Sequence, residues 1–359
     1  MVLGIDPHKK SHTAVALEAT TGELCGELTV AADARGHERL LAWARSLSPE
    51  RCFAVEDCRH VSGRLERFLI ERGERCVRVP PKLMAQARRS ARTYGKSDVI
   101  DAACVARAAL REPALPEARL EGPERELRLL VDHRADLVAE RTRIQSRLRW
   151  HLHDLALPLE IPPKALDRAC WLLRLEAALE ELPASVQVRL AGELAVRSRA
   201  LTREIDALER EIAVLSATLA PELLELPGCG ALTAAALLGQ TAGAQRFGSE
   251  ARFAMHAGVA PLPVSSGASS RHRLNRRGNR QLNCALHRIA VTQIRLHEPA
   301  RAFMARKRAE GKSTCEALRC LKRHLARVVW RALLAAERRR EAMLHPVDWS
   351  PQPALVPAS

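Results

Sequence analysis

Four acidic side chains have the types and spacing for metal-assisted phosphoryl chemistry. Asp6 ends the apolar run Val2-Leu3-Gly4-Ile5, and Glu56 ends a second run, Cys52-Phe53-Ala54-Val55. Asp98 and Asp101 stand three apart where a helical pattern begins, so they share one helix face. Two strand ends and one helix start can bring four carboxylates together. Such a cluster repels itself unless divalent cations neutralise it. Two Mg²⁺ ions about 4 Å apart would polarise a scissile phosphate and stabilise the leaving oxygen. Plainer roles exist for each acid. Asp98 and Asp101 can serve as helix-start acids, Asp6 can cap the Pro7 turn, and Glu56 can be a solvated strand end.

Two more segments have chemical potential. Leu226-Pro227-Gly228-Cys229-Gly230, followed by small residues, reads as a helix-hairpin-helix turn. Pro227 and Gly228 would end one helix and Gly230 would permit the tight turn, and the next helix would open with free N–H groups that hold a backbone phosphate without reading sequence. A plain turn between two helices is the alternative. Further on, a Ser/Gly loop at Ala260–Ser270 runs into Arg271, Arg273, Arg276, Arg277 and Arg280. A serine facing phosphate-binding arginines can act as a nucleophile and keep the bond energy of cleaved DNA in a phosphoserine link. Spacing alone does not choose among Ser265, Ser266, Ser269 and Ser270, and composition alone would make the segment a linker.

The elements that must position these residues follow from pattern. Val2–Asp6, Thr13–Leu17, Leu24–Val30, Arg51–Glu56 and Arg75–Val79 read as strands. Gly36–Leu47, Ser62–Arg72, Lys82–Ser90 and Asp98–Arg111 read as helices. The order predicts a mixed sheet with helices on its faces. If the first and fourth strands are parallel neighbours, Asp6 lies beside Glu56. Strand patterns then vanish. Leu127, Leu130, Val131, Leu137, Ile144 and Leu148, and later Leu201, Ile205, Leu208, Ile212 and Leu215, recur at helical steps. These are long amphipathic helices, read as an antiparallel or intermolecular coiled coil, with a bundle within one chain as the alternative.

The 359 residues allow two or three domains. The expected division is 1–115 for the acidic α/β domain, 116–220 for the coiled-coil helices, 221–345 for a basic helical domain, and 346–359 for a flexible tail. The formal charge is +15, which points to a polyanionic partner. It is asymmetric: from Arg271 to His345 there are 20 Lys+Arg against 5 Asp+Glu. Ten cysteines include no C-x-x-C pair, so they read as mostly buried structural thiols in a reduced compartment. No stretch of 18 apolar residues and no N-terminal apolar leader is visible, which predicts a cytoplasmic protein with no membrane partner. One Tyr, five Trp and five Phe are too few for base stacking to be the dominant mode of binding.

Taken together, these residues resemble the insertion-sequence 110 family, the DEDD-type transposases that include the Piv-like DNA invertases. The resemblance spans nearly all of 1–345. Its carriers are G-I-D-P-H-K at Gly4–Lys9, Glu56, K-S-D-x-x-D-A at Lys96–Ala102 and L-P-G-C-G at Leu226–Gly230. A-G-V-A-P at Ala257–Pro261, Ser266-Gly267 and R-R-G-N-R at Arg276–Arg280 complete the set. The resemblance implies a RuvC-like, RNase H-fold N-terminal domain, a coiled-coil middle and a helical transposase domain. It implies a metal-binding tetrad of Asp6, Glu56, Asp98 and Asp101, with Ser266 as the nucleophile. It also implies double-stranded DNA as substrate, a structured noncoding guide RNA from the element itself, and a homodimer or tetramer. In that setting Lys9, Lys10, Lys96 and the Arg271–Arg280 run would contact phosphates. One departure stands out. Where many members carry A-T-G-x-Y after the glutamate, this chain has Asp57-Cys58-Arg59-His60, which makes Asp57 an alternative ligand. Two other readings compete: a hydrolytic junction-resolving nuclease of RuvC type, and a coiled-coil nucleic-acid scaffold without metal.

Overall fold

The computed structural model describes residues 1–344, apart from 91–94, 96, 113–114, 116, 119–121, 156, 158, 267–268 and 277. The chain forms two compact units, Met1–Glu121 and Gly122–Ser359.

The first unit is a five-stranded sheet with helices on both faces. Its elements are β1 (Val2–Pro7), β2 (Ser11–Leu17), β3 (Leu24–Ala31), α1 (Ala34–Leu47), β4 (Cys52–Glu56), α2 (Arg59–Glu71), β5 (Cys76–Val79), α3 (Pro81–Ser90) and α4 (Asp98–Arg111). The strand order is β3-β2-β1-β4-β5. β1 runs antiparallel to β2 and parallel to β4, and β4 runs parallel to β5. The expected adjacency of the first and fourth strands is therefore present. Every strand and helix expected in this region forms, with ends shifted by no more than three residues, and α4 has the expected bounds.

Strand alternation divides the side chains between two layers. Leu3, Ile5, Phe53 and Val55 pack with Leu40, Leu41, Leu65 and Leu69 of α1 and α2. Gly4 and Ala54, on the opposite parity, lie toward α4. The fit there is close. A Cβ on Gly4 would come within 2.1 Å of the Ala102 carbonyl oxygen and 2.4 Å of the Ala106 nitrogen. The face that α4 buries is made of small residues, Ala102, Ala103, Ala106 and Ala108, with Cys104 and Val105. Ser97 starts the helix by accepting the Ile100 N–H at 3.2 Å.

On the α1/α2 side, His12 and His37 are buried and stacked, with their Nε2 atoms 3.3 Å apart. Burial, with His37 and His8 adding to it, pulls the His12 pKa down from 6.5 to about 4.

The second unit is mostly helical. Its elements are α5 (Pro123–Asp154), a 3₁₀ turn at Ala165–Asp167, α6 (Ala169–Glu180), α7 (Val186–Leu219), α8 (Pro221–Leu224), α9 (Ala231–Thr241), α10 (Glu250–His256), β6 (Leu262–Ser266), β7 (Ser269–Arg273), α11 (Arg280–Leu296), α12 (Glu298–Ala309) and α13 (Thr314–Leu344). α5 and α7 pack antiparallel within the chain. Leu152 meets Ala191 at one end, Ile144 meets Leu201 midway, and Leu127 shares a core with Leu219 at the other. That last core also holds Phe253, Leu286, Leu321 and Val329, so the long helices and the basic helices share one interior. The tail after 345 lies outside the described residues.

Two expectations need correction. The Ser/Gly segment is a two-stranded antiparallel hairpin with Leu262 opposite Arg273 and Ser266 opposite Ser269, not an irregular loop. Alternation in Leu262-Pro263-Val264 was too short and too broken by Pro263 to announce a strand. The cysteines are not mostly buried: Cys76, Cys104 and Cys229 are, but Cys25, Cys170, Cys284 and Cys315 are exposed, and all ten are free thiols.

Two measurements check this fold. Gly4→Ala places a methyl group against α4 backbone and is expected to lower unfolding free energy by about 1–3 kcal/mol in urea titration. As pH falls from 6.5 toward 4, the unfolded chain protonates His12 while the folded chain refuses the proton, so stability drops. Wild type is therefore expected to lose about 3 kcal/mol more than His12→Phe over that window, measured by the same titration.

Candidate active site

The parity that sends Ile5 and Val55 toward α1 and α2 sends Asp6 and Glu56 toward α4. Ile5 pairs with Val55 in the parallel ladder, so the next residues, Asp6 and Glu56, end neighbouring strands side by side. The Gly4 contact holds α4 on β1, and α4 opens with Asp98 and Asp101. Asp6 is buried, while the Asp98 side chain is exposed.

His8, in the tight turn between β1 and β2, sits between them. Its Nε2 is 3.3 Å from Asp6 Oδ2 and 3.4 Å from Asp98 Oδ1. One ligating atom from each of Asp6, His8 and Asp98 lies within 4.8 Å of the others. Asp101 is buried and paired with Arg88 of α3. Glu56 sits where the charges of Asp6 and Arg88 are both felt. Asp57, the alternative ligand, donates its backbone N–H to the Val79 carbonyl at 3.0 Å, continuing the β4–β5 edge.

The electrostatics are those of crowded acids. Burial pushes the Asp6 carboxyl above its ordinary value; His8 opposes the rise and Asp98 adds to it. Burial also raises Glu56, with Asp6 adding to the rise and Arg88 opposing it. Carboxyls held this way favour a divalent cation that would relieve both desolvation and repulsion. Oxygen donors with one imidazole suit Mg²⁺ or Mn²⁺.

Lys9 and Lys10 are exposed in the turn that carries His8, and Lys96 lies outside the described residues. In the second unit, Gly228 has φ +80° and packs on Thr292 and Ile289 of α11, while Gln293 donates to the Pro227 carbonyl at 2.8 Å. Gly230 is exposed and starts α9. The helix before this turn is the single turn α8. Ser266 ends β6, Arg271 pairs with Val264 across the hairpin, and Arg273, Arg276 and Arg280 are exposed. Arg277 and Gly267 lie outside the described residues.

Sequence reasoning passed over His8 and Arg88. The only signal for His8 was its place two residues after Asp6, and nothing in the sequence marked Arg88. It also passed over a clasp. Gly278 lies so close to Gly258 that a Cβ on Gly278 would come within 2.2 Å of the Gly258 Cα. Around this contact, Asn279 N–H donates to the His256 carbonyl at 2.7 Å, Asn283 Nδ2 to the Gly258 carbonyl at 2.9 Å, and Asn275 Nδ2 to the Met255 carbonyl at 2.9 Å. The A-G-V-A-P and R-R-G-N-R segments are thus the two halves of one joint at the base of the β6–β7 hairpin.

The family of IS110 DEDD transposases matches residues 3–156. The transposase family IS116/IS110/IS902 matches residues 220–305. A protein of insertion element IS116 from Streptomyces clavuligerus is 31% identical across 92% of this chain and 94% of its own length. This chain belongs to the IS110 transposase family. A protein of insertion element IS900 from Mycobacterium paratuberculosis is 28% identical across 96% of both chains. A protein of insertion element IS110 from Streptomyces coelicolor is 31% identical across 66% of this chain and 70% of its own. This IS110-family transposase is a DNA-acting enzyme of a mobile element, and membership in a DEDD family points to a divalent metal. No helix among the described residues is long and apolar enough to cross a membrane.

The opposed charges here make a prediction. Arg88→Ala removes the cation that offsets Asp101, Asp6 and Glu56. Its metal-free form is expected to melt below wild type. Added Mg²⁺ is expected to raise its melting temperature roughly twice as much as that of wild type, measured by scanning calorimetry.

Proposed function

We propose that this transposase cuts and rejoins DNA through a covalent phosphoserine intermediate, with Ser266 as nucleophile and Asp6, Glu56, Asp98 and Asp101 holding Mg²⁺. The observation that carries the reading is the convergence at one end of the sheet. Neighbouring parallel strands end in Asp6 and Glu56, and a helix pressed onto the same face begins at Asp98 and Asp101. An antiparallel trio, β3-β2-β1, continued by the parallel strands β4 and β5, supports a RuvC-like, RNase H-type unit. When bound, divalent ions there would polarise the scissile phosphate and stabilise the departing oxygen.

This chain's own residues do the rest. The acids orient the ions, and His8 is placed to join Asp6 and Asp98 as a ligand. The Ser266 hydroxyl, at the turn end of a hairpin with a basic exit, attacks phosphorus; the deoxyribose oxygen leaves as a free hydroxyl, and the serine proton, passed through solvent, balances it. One phosphodiester P–O bond breaks as the P–Oγ bond forms, so the bond is conserved for transfer to a new strand without ATP. Arg271, Arg273, Arg276, Arg277 and Arg280, with Lys9, Lys10 and Lys96, contact phosphates of double-stranded DNA. The Gly228–Gly230 turn adds a sequence-neutral contact of helix-hairpin-helix type. A structured RNA from the element supplies base pairing, which fits a basic chain poor in base-reading side chains. Two or four chains assemble around the DNA, and the three-domain division at 115, 220 and 345 belongs to the same reading.

Two experiments test it. A DNA adduct resistant to denaturant is expected from wild type and Ser265→Ala and absent from Ser266→Ala. An adduct unaffected by Ser266→Ala overturns the serine assignment. Free 5′-phosphate and 3′-hydroxyl ends made equally well by that variant would select hydrolysis by water. Asp98→Ala/Asp101→Ala is expected to bind Mn²⁺ at least tenfold more weakly by titration calorimetry. Equal binding would favour the metal-free scaffold.

A further inference from the structure

The second unit contains a cleft of about 1010 Å³ that the sequence did not announce. Its floor and walls come from Gly258–Pro261, the exit of β7, α12, the turn into α13, and one side of α13. Seven of its lining side chains are Lys or Arg and two are Glu. Those two acids are already engaged. Glu250 faces Arg323 at 3.5 Å and Arg327 at 3.8 Å. Glu316 accepts from the Ser313 N–H and hydroxyl at 2.9 and 2.8 Å. Among the described residues no carboxylate pairs with Arg273, Lys312 or Arg319. Lys307 pairs with Glu310 at 2.7 Å, and Glu316 lies in the field of Lys312 and Arg319. Seven cations against these few carboxylates still leave the lining with an excess of positive charge, the condition under which a polyanion binds.

The arrangement is ordered along a line. Arg319, Arg323 and Arg327 repeat at four-residue steps on α13, about 6 Å apart along its axis. That is the order of the separation between successive phosphates on a stretched strand. Lys322, buried in the same wall, is held by Asn283 of the glycine clasp. Beside the cations stand two aromatic rings. The rings of Phe303 and His324 stack with centroids 5.9 Å apart at 29°, and both residues line the cleft. Arg306 and Lys307 lie 5.3 and 5.8 Å from the Phe303 centroid. Cations in a line with aromatic rings beside them are how proteins hold single strands. The volume is at the upper end of pockets that hold one drug-sized molecule, about 300–1,000 Å³. A few nucleotides of one strand fit such a space, and a duplex does not.

We propose that the α12–α13 cleft is a binding site for a single strand of nucleic acid, gripped through its phosphates by Lys312 and Arg319, with Arg323 continuing their line along α13. This rests on the reading of the chain as a DNA recombinase, in which strand exchange unpairs a segment that must be kept from re-annealing. It is independent of Ser266 and of the metal.

The test is fluorescence anisotropy of the full chain with a labelled 12-nucleotide DNA strand, the RNA strand of the same sequence, and the matching DNA duplex. Lys312→Ala/Arg319→Ala changes two exposed side chains and is expected to weaken single-strand binding at least tenfold. The duplex should change less than twofold. The slope of log affinity against log salt should fall by about 1.4, two contacts at about 0.7 each. Arg319→Gln alone should give a smaller loss in the same direction. Arg203→Ala/Arg210→Ala on α7 is the charge-matched control. Loss on the DNA strand assigns the cleft to unpaired DNA, and loss on the RNA strand assigns it to a guide. Unchanged single-strand binding overturns the proposal. So does an equal loss on the duplex, or an equal loss in the control. A missing serine adduct with intact single-strand binding would reject the nucleophile and leave the cleft standing.

Discussion

Everything at the acidic site depends on how closely a helix can approach a strand. α4 lies against β1 at the one position where β1 has no side chain, Gly4. The helix answers with alanines on its buried face. Larger residues on either surface would lift α4 away, and Asp98 with it. The contact is apolar and non-directional, yet it fixes the position of charged groups at the helix start. Burial and strand parity set the geometry, and electrostatics then acts on groups that packing has already placed.

The charged cluster is balanced rather than bare. Asp6 and Glu56 are pushed toward the protonated form by burial, with Asp98 adding to the push on Asp6 and Asp6 to the push on Glu56, while His8 and Arg88 pull back. Both basic residues come from flanking segments: His8 from the β1–β2 turn, Arg88 from the last turn of α3. The fold therefore carries its own partial neutralisation at the place where external cations would bind. The price is that Asp101 is engaged with Arg88 before any ion arrives.

Much of the first unit was legible in the sequence because its signals are local. Apolar runs ending in an acid, a Gly closing a helix and Pro80-Pro81 stopping a strand each mark a boundary by themselves. The bounds of α4 followed from the helical pattern that begins at Asp98 and from Pro113 beyond its end. What stayed hidden needs partners distant in sequence. His8 and Arg88 matter only through groups up to about ninety positions away. The Gly258–Gly278 joint is two ordinary glycines until α10 and α11 meet. The hairpin of β6 and β7 draws its pairing from residues that lack alternation. Long helices were readable from periodicity, but whether they paired within one chain was not, because a heptad-like stripe looks the same in both cases.

The paired α5 and α7 helices carry a mechanical consequence. Each is more than thirty residues long, about 50 Å at 1.5 Å per residue. Their lower ends are embedded in the core through Leu127 and Leu219, while Trp150 and Val186 stand exposed near the other end. A rod anchored at one end is a lever. A tilt of only about 5° at its base would carry its tip about 4 Å, far enough to make or break contact with whatever that end touches.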